Sequence, residues 1–357
     1  MLKPVRHLMG AGSSLALTAL LVAAARFIPD LWFSFYTGFS RRAIGAIGAF
    51  TARVPLCVWE CLAGALVAAG LISLVVCLKK RRFLNWLTSL LELVCLLVFL
   101  FVGLWGLNHF APPLSEQLGM EVGQYTQQQL TDAGTYYARM ASLYAAQMER
   151  DEAGDLALPE FARQSELAVE SYELLAATND RFSGAASTVK PLLLSEGFGY
   201  LGITGVYVCL TGESSVSRAE YPASLSFTMC HELAHSLAFA AEDEANFCAF
   251  LACEQSPSPI LRYSGYYNAF VYCYNALHKA DPAAAQTLWQ ACSEEVLHDC
   301  QVHVAYNQQY EGKVQDAAQK VNDTYLKAFH EEGVQSYGLV ADYLIAHYLA
   351  LETETGG

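Results

Sequence analysis

Apolar and polar positions divide the chain into two stretches with different patterns. Residues 8–25, 61–78 and 93–111 contain no Asp, Glu, Lys or Arg, and each approaches the ~20 residues a helix needs to cross ~30 Å of hydrocarbon. Three N-terminal transmembrane helices are therefore predicted. Lys3 and Arg6 ahead of the first run also fit a cleavable export signal; the length of that run, the aromatic stretch at 31–36 and the two later runs favour a span that is kept. Pro112 and Pro113 mark the exit from the apolar region. Beyond them Tyr136, Tyr137, Met140, Leu143 and Tyr144 recur at helical spacing, as do Phe161, Ala168, Tyr172 and Leu175, which predicts helix from 122 to about 180. Ser183-Gly184 breaks that pattern, Val206-Tyr207-Val208 reads as a strand, and helical periodicity returns from about 223. The expected fold is mainly α: a three-helix transmembrane region at 1–111, then a mostly helical domain at 112–357 with a small β element.

Charge separates the same two regions. Residues 1–111 hold 10 Lys+Arg against 3 Asp+Glu, and 112–357 hold 11 against 32. An acidic second region lacks the cationic stripe that phosphate binding needs, so nucleic acid is not an expected partner. Lys3 and Arg6 before the first run, and Lys79, Lys80, Arg81 and Arg82 between the second and third, place those segments on the cytoplasmic side. Three spans then put everything after Pro112 outside the cell membrane of a bacterium. The eleven cysteines, odd in number and without CxxC spacing, read as small buried hydrophobes.

The chemistry is concentrated at 228–237, where His231-Glu232-Leu233-Ala234-His235 forms HExxH within a helix-compatible run. Imidazoles at i and i+4 face the same way, so both can reach one zinc ion, and the intervening carboxylate can act on a water held there. Thr228 stands three residues before the first His, and Leu233, Ala234, Ser236 and Leu237 are uncharged. The bland reading is a buried helix with hydrogen-bonded histidines, which leaves two His and a Glu on an apolar helix without compensation.

A catalytic zinc takes three protein ligands. The segment Glu242-Asp243-Glu244-Ala245-Asn246 resembles the ExxA(D/N) element of gluzincin-type membrane metalloproteases, including the CAAX-processing and heat-shock families. The resemblance implies that Glu242 is the third ligand, that Asn246 supports a zinc-bound His, and that a sharp turn lies within 236–241; Glu244 is the alternative ligand. More broadly, 231–253, RYSGYYNAF at 262–270, 322–346 and LSEGFGYLGITGVYVCLTGE at 194–213 resemble the bacterial membrane family known as domain of unknown function 3810. That family often has Gly where Ala238 stands here, and the activity it implies is that of a zinc peptidase on a zincin-like domain.

Zinc hydrolases usually supply a donor to the developing oxyanion. Tyr263, Tyr266 and Tyr337 are the candidates because they lie in or beside the family-like segments, with Arg262 as a possible partner for a substrate carboxylate. Tyr207 lies on a strand that either lines the core or receives an extended peptide at its edge. The expected function is a membrane-anchored zinc metallopeptidase with the lipid bilayer and a peptide or protein substrate as partners. The alternatives are an intramembrane site-2-type protease and a non-catalytic zinc-binding sensor or scaffold.

Overall fold

The computed structural model describes residues 2–328 and 338–355. The chain forms two compact units, Met1–Ala111 with Val208–Glu213, and Pro112–Tyr207 with Ser214–Gly357. Residues 208–213, which the sequence reading left in the 112–357 domain, thus group with the first unit.

The first unit contains α1 (Leu2–Phe27), α2 (Pro29–Thr51), α3 (Val58–Lys79) and α4 (Phe83–Leu104). Three of these, α1, α3 and α4, are long and apolar enough to cross a membrane. Leu66, Val67, Leu71 and Ile72 are all exposed on α3, and a helix apolar on every side belongs in a protein core or a bilayer. The third apolar helix starts at Phe83, not near 93, because Glu92 lies inside it: its carboxylate meets the His7 ring of α1 and lies across Gly10. It ends at Leu104, and the single turn Gly106–Phe110 that follows packs Leu107 against Ala25, Tyr36 and Val102. The helix α2 was not foreseen. Its inner face buries Tyr36, Thr37, Ser40, Ile44 and Thr51, with Tyr36 Oη donating to Val102 O and Ser40 Oγ to Leu104 O.

The second unit begins with α5 (Leu114–Leu118), α6 (Gln127–Ala145) and α7 (Phe161–Thr178). The helix predicted for 122–180 is therefore two helices, broken by a turn whose ends meet at the Arg150–Leu156 bridge. Then come β1 (Val189–Pro191), α8 (Ser195–Gly199), β2 (Gly205–Val208) and β3 (Glu213–Val216). The sheet order is β1-β3-β2, with β1 parallel to β3 in the register Val189–Ser214, Lys190–Ser215, Pro191–Val216. The rest is helical: α9 (Pro222–Ser236), α10 (Glu242–Gln255), α11 (Pro259–Ala280), α12 (Pro282–Gln290), α13 (Glu294–Tyr310), α14 (Lys313–Ala328) and α15 (Leu339–Thr355).

The helices α9, α10 and α11 pack together, with α6 and α15 against α11 and α7 against α9 and α10. Pro222 opens α9 at a position where its missing N–H is no loss. Ser264 on α11 then ties the two helices, donating to Ala223 O at 2.6 Å and accepting from Phe227 N at 3.0 Å. Cysteines fill gaps in this core: Cys230 and Cys253 are fully buried with their sulfurs 3.7 Å apart.

Candidate metal centre

Packing buries α9 almost all round, so a polar side chain on it that lacks a partner is there at a cost. Only Thr228 and His231, three residues apart on one face, are partly exposed beyond its first turn, while Glu232 and His235 are 3% and 6% exposed. The helix stops at Ser236 because the next residues turn back: Phe239 N donates to Ala234 O at 3.2 Å, and Ala238 adopts a left-handed φ of 65°. An L residue pays roughly 1–2 kcal/mol for that conformation.

The turn brings the start of α10 alongside the histidines. His231 Nε2 and His235 Nε2 lie 3.1 Å apart, Glu242 Oε2 is 3.3 Å from His231 Nε2, and Glu242 Oε1 is 3.8 Å from His235 Nε2. A tetrahedral zinc with bonds of ~2.0–2.1 Å keeps neighbouring donor atoms about 3.3 Å apart. Two of the three separations lie within 0.2 Å of that value, and these three residues form the one cluster of potential ligands among the described residues. Glu244 does not join them: its carboxylate accepts from Leu114 N at 2.6 Å, capping α5.

The surroundings orient the two imidazoles differently. His235 Nδ1 is 2.7 Å from Phe239 O; a carbonyl can only accept, so Nδ1 carries the proton and Nε2 keeps its lone pair. Phe239 is held in turn by the Arg181 guanidinium, 3.9 Å above its ring, whose Nη1 also donates to Leu237 O at 2.9 Å. His231 Nδ1 and Asn246 Nδ2 are buried with no partner at hydrogen-bond geometry. An Asn amide can present either end, and Oδ1 turned toward the ring would complete the same arrangement. Burial pushes the His231 pKa down, but Glu242 beside it, and then Glu232 and Asn246, more than offset this, so the net shift is upward.

Glu232 is the most constrained member. A Cβ on Gly205 of β2 would stand 2.4 Å from its Oε1, so only glycine lets this strand lie on the carboxylate. Ser214 Oγ of β3 donates to Glu232 O at 2.8 Å, while Glu232 Oε2 is buried with no hydrogen-bond partner. Burial, opposed by His231 and reinforced by Glu242, raises its pKa to about 8. Gly205, Phe239 and Arg181 were missed by sequence reasoning; a glycine within a β-like run, a known mark of close backbone approach, was the one available signal.

The tyrosines expected as oxyanion donors are not brought to this cluster. Tyr263 is fully buried and its hydroxyl donates to Asp299, and Tyr266 donates to Glu254 at 3.0 Å with its ring stacked on Tyr144. Each is a core ring whose hydroxyl serves an acid, buried Asp299 or half-buried Glu254, the commoner use of Tyr in an interior. Arg262 is held by Ser256 O and Tyr144 Oη. Tyr337 lies outside the described residues.

Comparison with known proteins adds a family but no activity. No curated protein and no solved structure matches the chain. A family model described as "Protein of unknown function (DUF3810)" matches residues 35–345, which takes in α9, α10, the sheet and all but the first of the apolar helices. The chain belongs to the DUF3810 family.

Proposed function

We propose that this protein is a membrane-anchored zinc metallopeptidase whose metal is held by His231, His235 and Glu242. The observation that carries the reading is the spacing of Nε2, Nε2 and Oε2 at 3.1 and 3.3 Å beside a buried carboxylate one residue along the helix. An ion there would supply Lewis acidity, making a water acidic enough to attack near neutral pH and polarising a carbonyl.

The chain's own residues do the rest. Glu232 accepts the proton of the attacking water and returns it to the departing amine. Burial, opposed by His231 and reinforced by Glu242, holds its pKa at about 8, and a nearby positive charge favours the ionised form that a base needs. Phe239 O keeps the His235 lone pair directed away from Nδ1. The outer strand β2, against Glu232 at Gly205, suits a substrate that binds as an extended peptide.

The apolar helices α1, α3 and α4 serve as the anchor, with the basic clusters at 3–6 and 79–82 inside and residues after Pro112 outside. The intramembrane alternative is disfavoured by α9 itself, which at 15 residues is shorter than a span and is not among the helices apolar enough to cross. A scaffold role has no specific observation in its favour.

The test is paired measurement on the full chain in detergent: Glu232→Gln should keep its metal and lose peptide hydrolysis by about 10²–10⁴-fold. Equal turnover by the variant and the parent would remove Glu232 from the mechanism.

A further inference from the structure

The helix α2 links two apolar helices without being one of the three, and its place follows from the directions of its neighbours. Gly10 of α1 faces Glu92 of α4, and Leu21 faces Gly103, so α1 and α4 run parallel. The link from α3 to α4 is residues 80–82, and Trp86 Nε1 donates back to Gly70 O at 3.1 Å, so α3 and α4 form an antiparallel hairpin. Hence α1 ends, and α3 begins, on the same side of the first unit. A helix joining two ends on one side cannot itself cross.

At 23 residues α2 is roughly 34 Å long from a rise of 1.5 Å per residue. Phe35, Phe39, Arg42 and Phe50 recur at helical spacing on its exposed face, the three rings 72%, 44% and 70% exposed. That apolar stripe continues at one end into exposed Phe27 and Ile28 and at the other into Val54 and Leu56, which lead to α1 and α3. Aromatic rings with an interspersed Arg are the composition of a helix lying in the headgroup boundary. We propose that α2 lies in the membrane plane, with the Phe35–Phe39–Phe50 face seated in lipid at the level where acyl chains meet headgroups; this rests on the reading of α1, α3 and α4 as spans.

The opposite face of α2 has a separate task. Thr51 Oγ1 donates to Thr211 O at 2.9 Å, and Gly48 and Gly212 meet so closely that a Cβ on Gly48 would stand 2.6 Å from Gly212 O. Glu213 accepts from Val58 N and Trp59 N, both at 2.9 Å, capping α3. The segment 208–213, which groups with the first unit, is thus fastened to the helix that lipid seats.

The full chain in phosphatidylethanolamine–phosphatidylglycerol vesicles, carrying p-benzoylphenylalanine in place of Phe35 or Phe50, tests this on irradiation. Lipid adducts at both positions, mapped by mass spectrometry to the glycerol-proximal carbons, are expected. Exposed Leu71 on α3 and exposed Leu143 on α6, replaced likewise, should give deep adducts and none. Adducts at Leu71 but not at Phe35 or Phe50, or a covalent dimer through α2, would overturn the seating of α2 and leave the spans intact. Loss of the Leu71 adduct together with release of the chain by alkaline carbonate would overturn the spans themselves.

Discussion

Two buried acidic centres in the same unit are handled in opposite ways. Asp299, 2% exposed, accepts from Arg150 Nη1 and Nη2 at 2.9 and 2.8 Å and from the Tyr263 hydroxyl, while its carbonyl accepts from Tyr221 at 2.5 Å. Its charge is matched and its lone pairs are used. At His231, Glu232, Glu242 and Asn246 there are two carboxylates, no Lys or Arg within the cluster, and three buried polar atoms without a hydrogen-bond partner: His231 Nδ1, Glu232 Oε2 and Asn246 Nδ2. Folded proteins leave few such atoms. The first centre fastens the fold; the second keeps buried polar atoms unmatched, and the zinc proposed above is the positive charge that would match them.

The largest effect should come from breaking the satisfied centre. Asp299→Ala leaves the Arg150 guanidinium buried without its anion, and loss of one partner of a buried pair costs about 3–5 kcal/mol. Chemical denaturation should show that loss, while the fraction that still folds keeps the parent's metal content.

A third buried acid sharpens the contrast. Glu220, 7% exposed, has no cation beside it, and burial raises its pKa from 4.5 to about 7 against the Thr204 and Tyr221 N hydrogen bonds that lower it. Because the folded state holds the proton more tightly than the unfolded state, this contribution is full below pH 4.5 and is lost as pH rises to 7. Glu220→Gln should remove that slope and stabilise the protein at pH 8 by at most about 3 kcal/mol, read as the difference between parent and variant unfolding midpoints at pH 5 and pH 8.

A smaller effect is expected behind the proposed metal site. If Asn246 orients His231, Asn246→Ala should weaken zinc affinity by about 10–100-fold, the usual cost of losing an outer-shell partner, with little change in unfolding of the metal-free protein. Competition with a zinc chelator measures it, and unchanged affinity would make Asn246 a packing residue.

What could be read from the sequence follows the range of each interaction. The His231–His235 pairing is local, fixed by helical spacing, and the apolar runs reveal themselves by composition alone. Glu242 was named through the resemblance of 242–246 to the ExxA(D/N) element, and the turn after His235 is what brings its carboxylate beside the two rings in three dimensions. Tyr263 and Tyr266 were misjudged because α11 is buried on most sides, and which acid each ring would meet depended on Asp299 and Glu254 elsewhere in the chain. The start of α4 was missed because Glu92 looks like an interruption until His7 and Gly10 are beside it. Gly205 was passed over because its partner, Glu232, is visible only in three dimensions.

Metal analysis of the purified full chain tests the central claim most directly, with Glu242→Ala and Glu244→Ala beside the parent. The account predicts about one zinc per chain in the parent, as one tetrahedral ligand set implies, the same in Glu244→Ala, and a large loss in Glu242→Ala. A parent that binds no divalent ion after dialysis against zinc, or a Glu242→Ala variant that holds it as tightly as the parent, would contradict it.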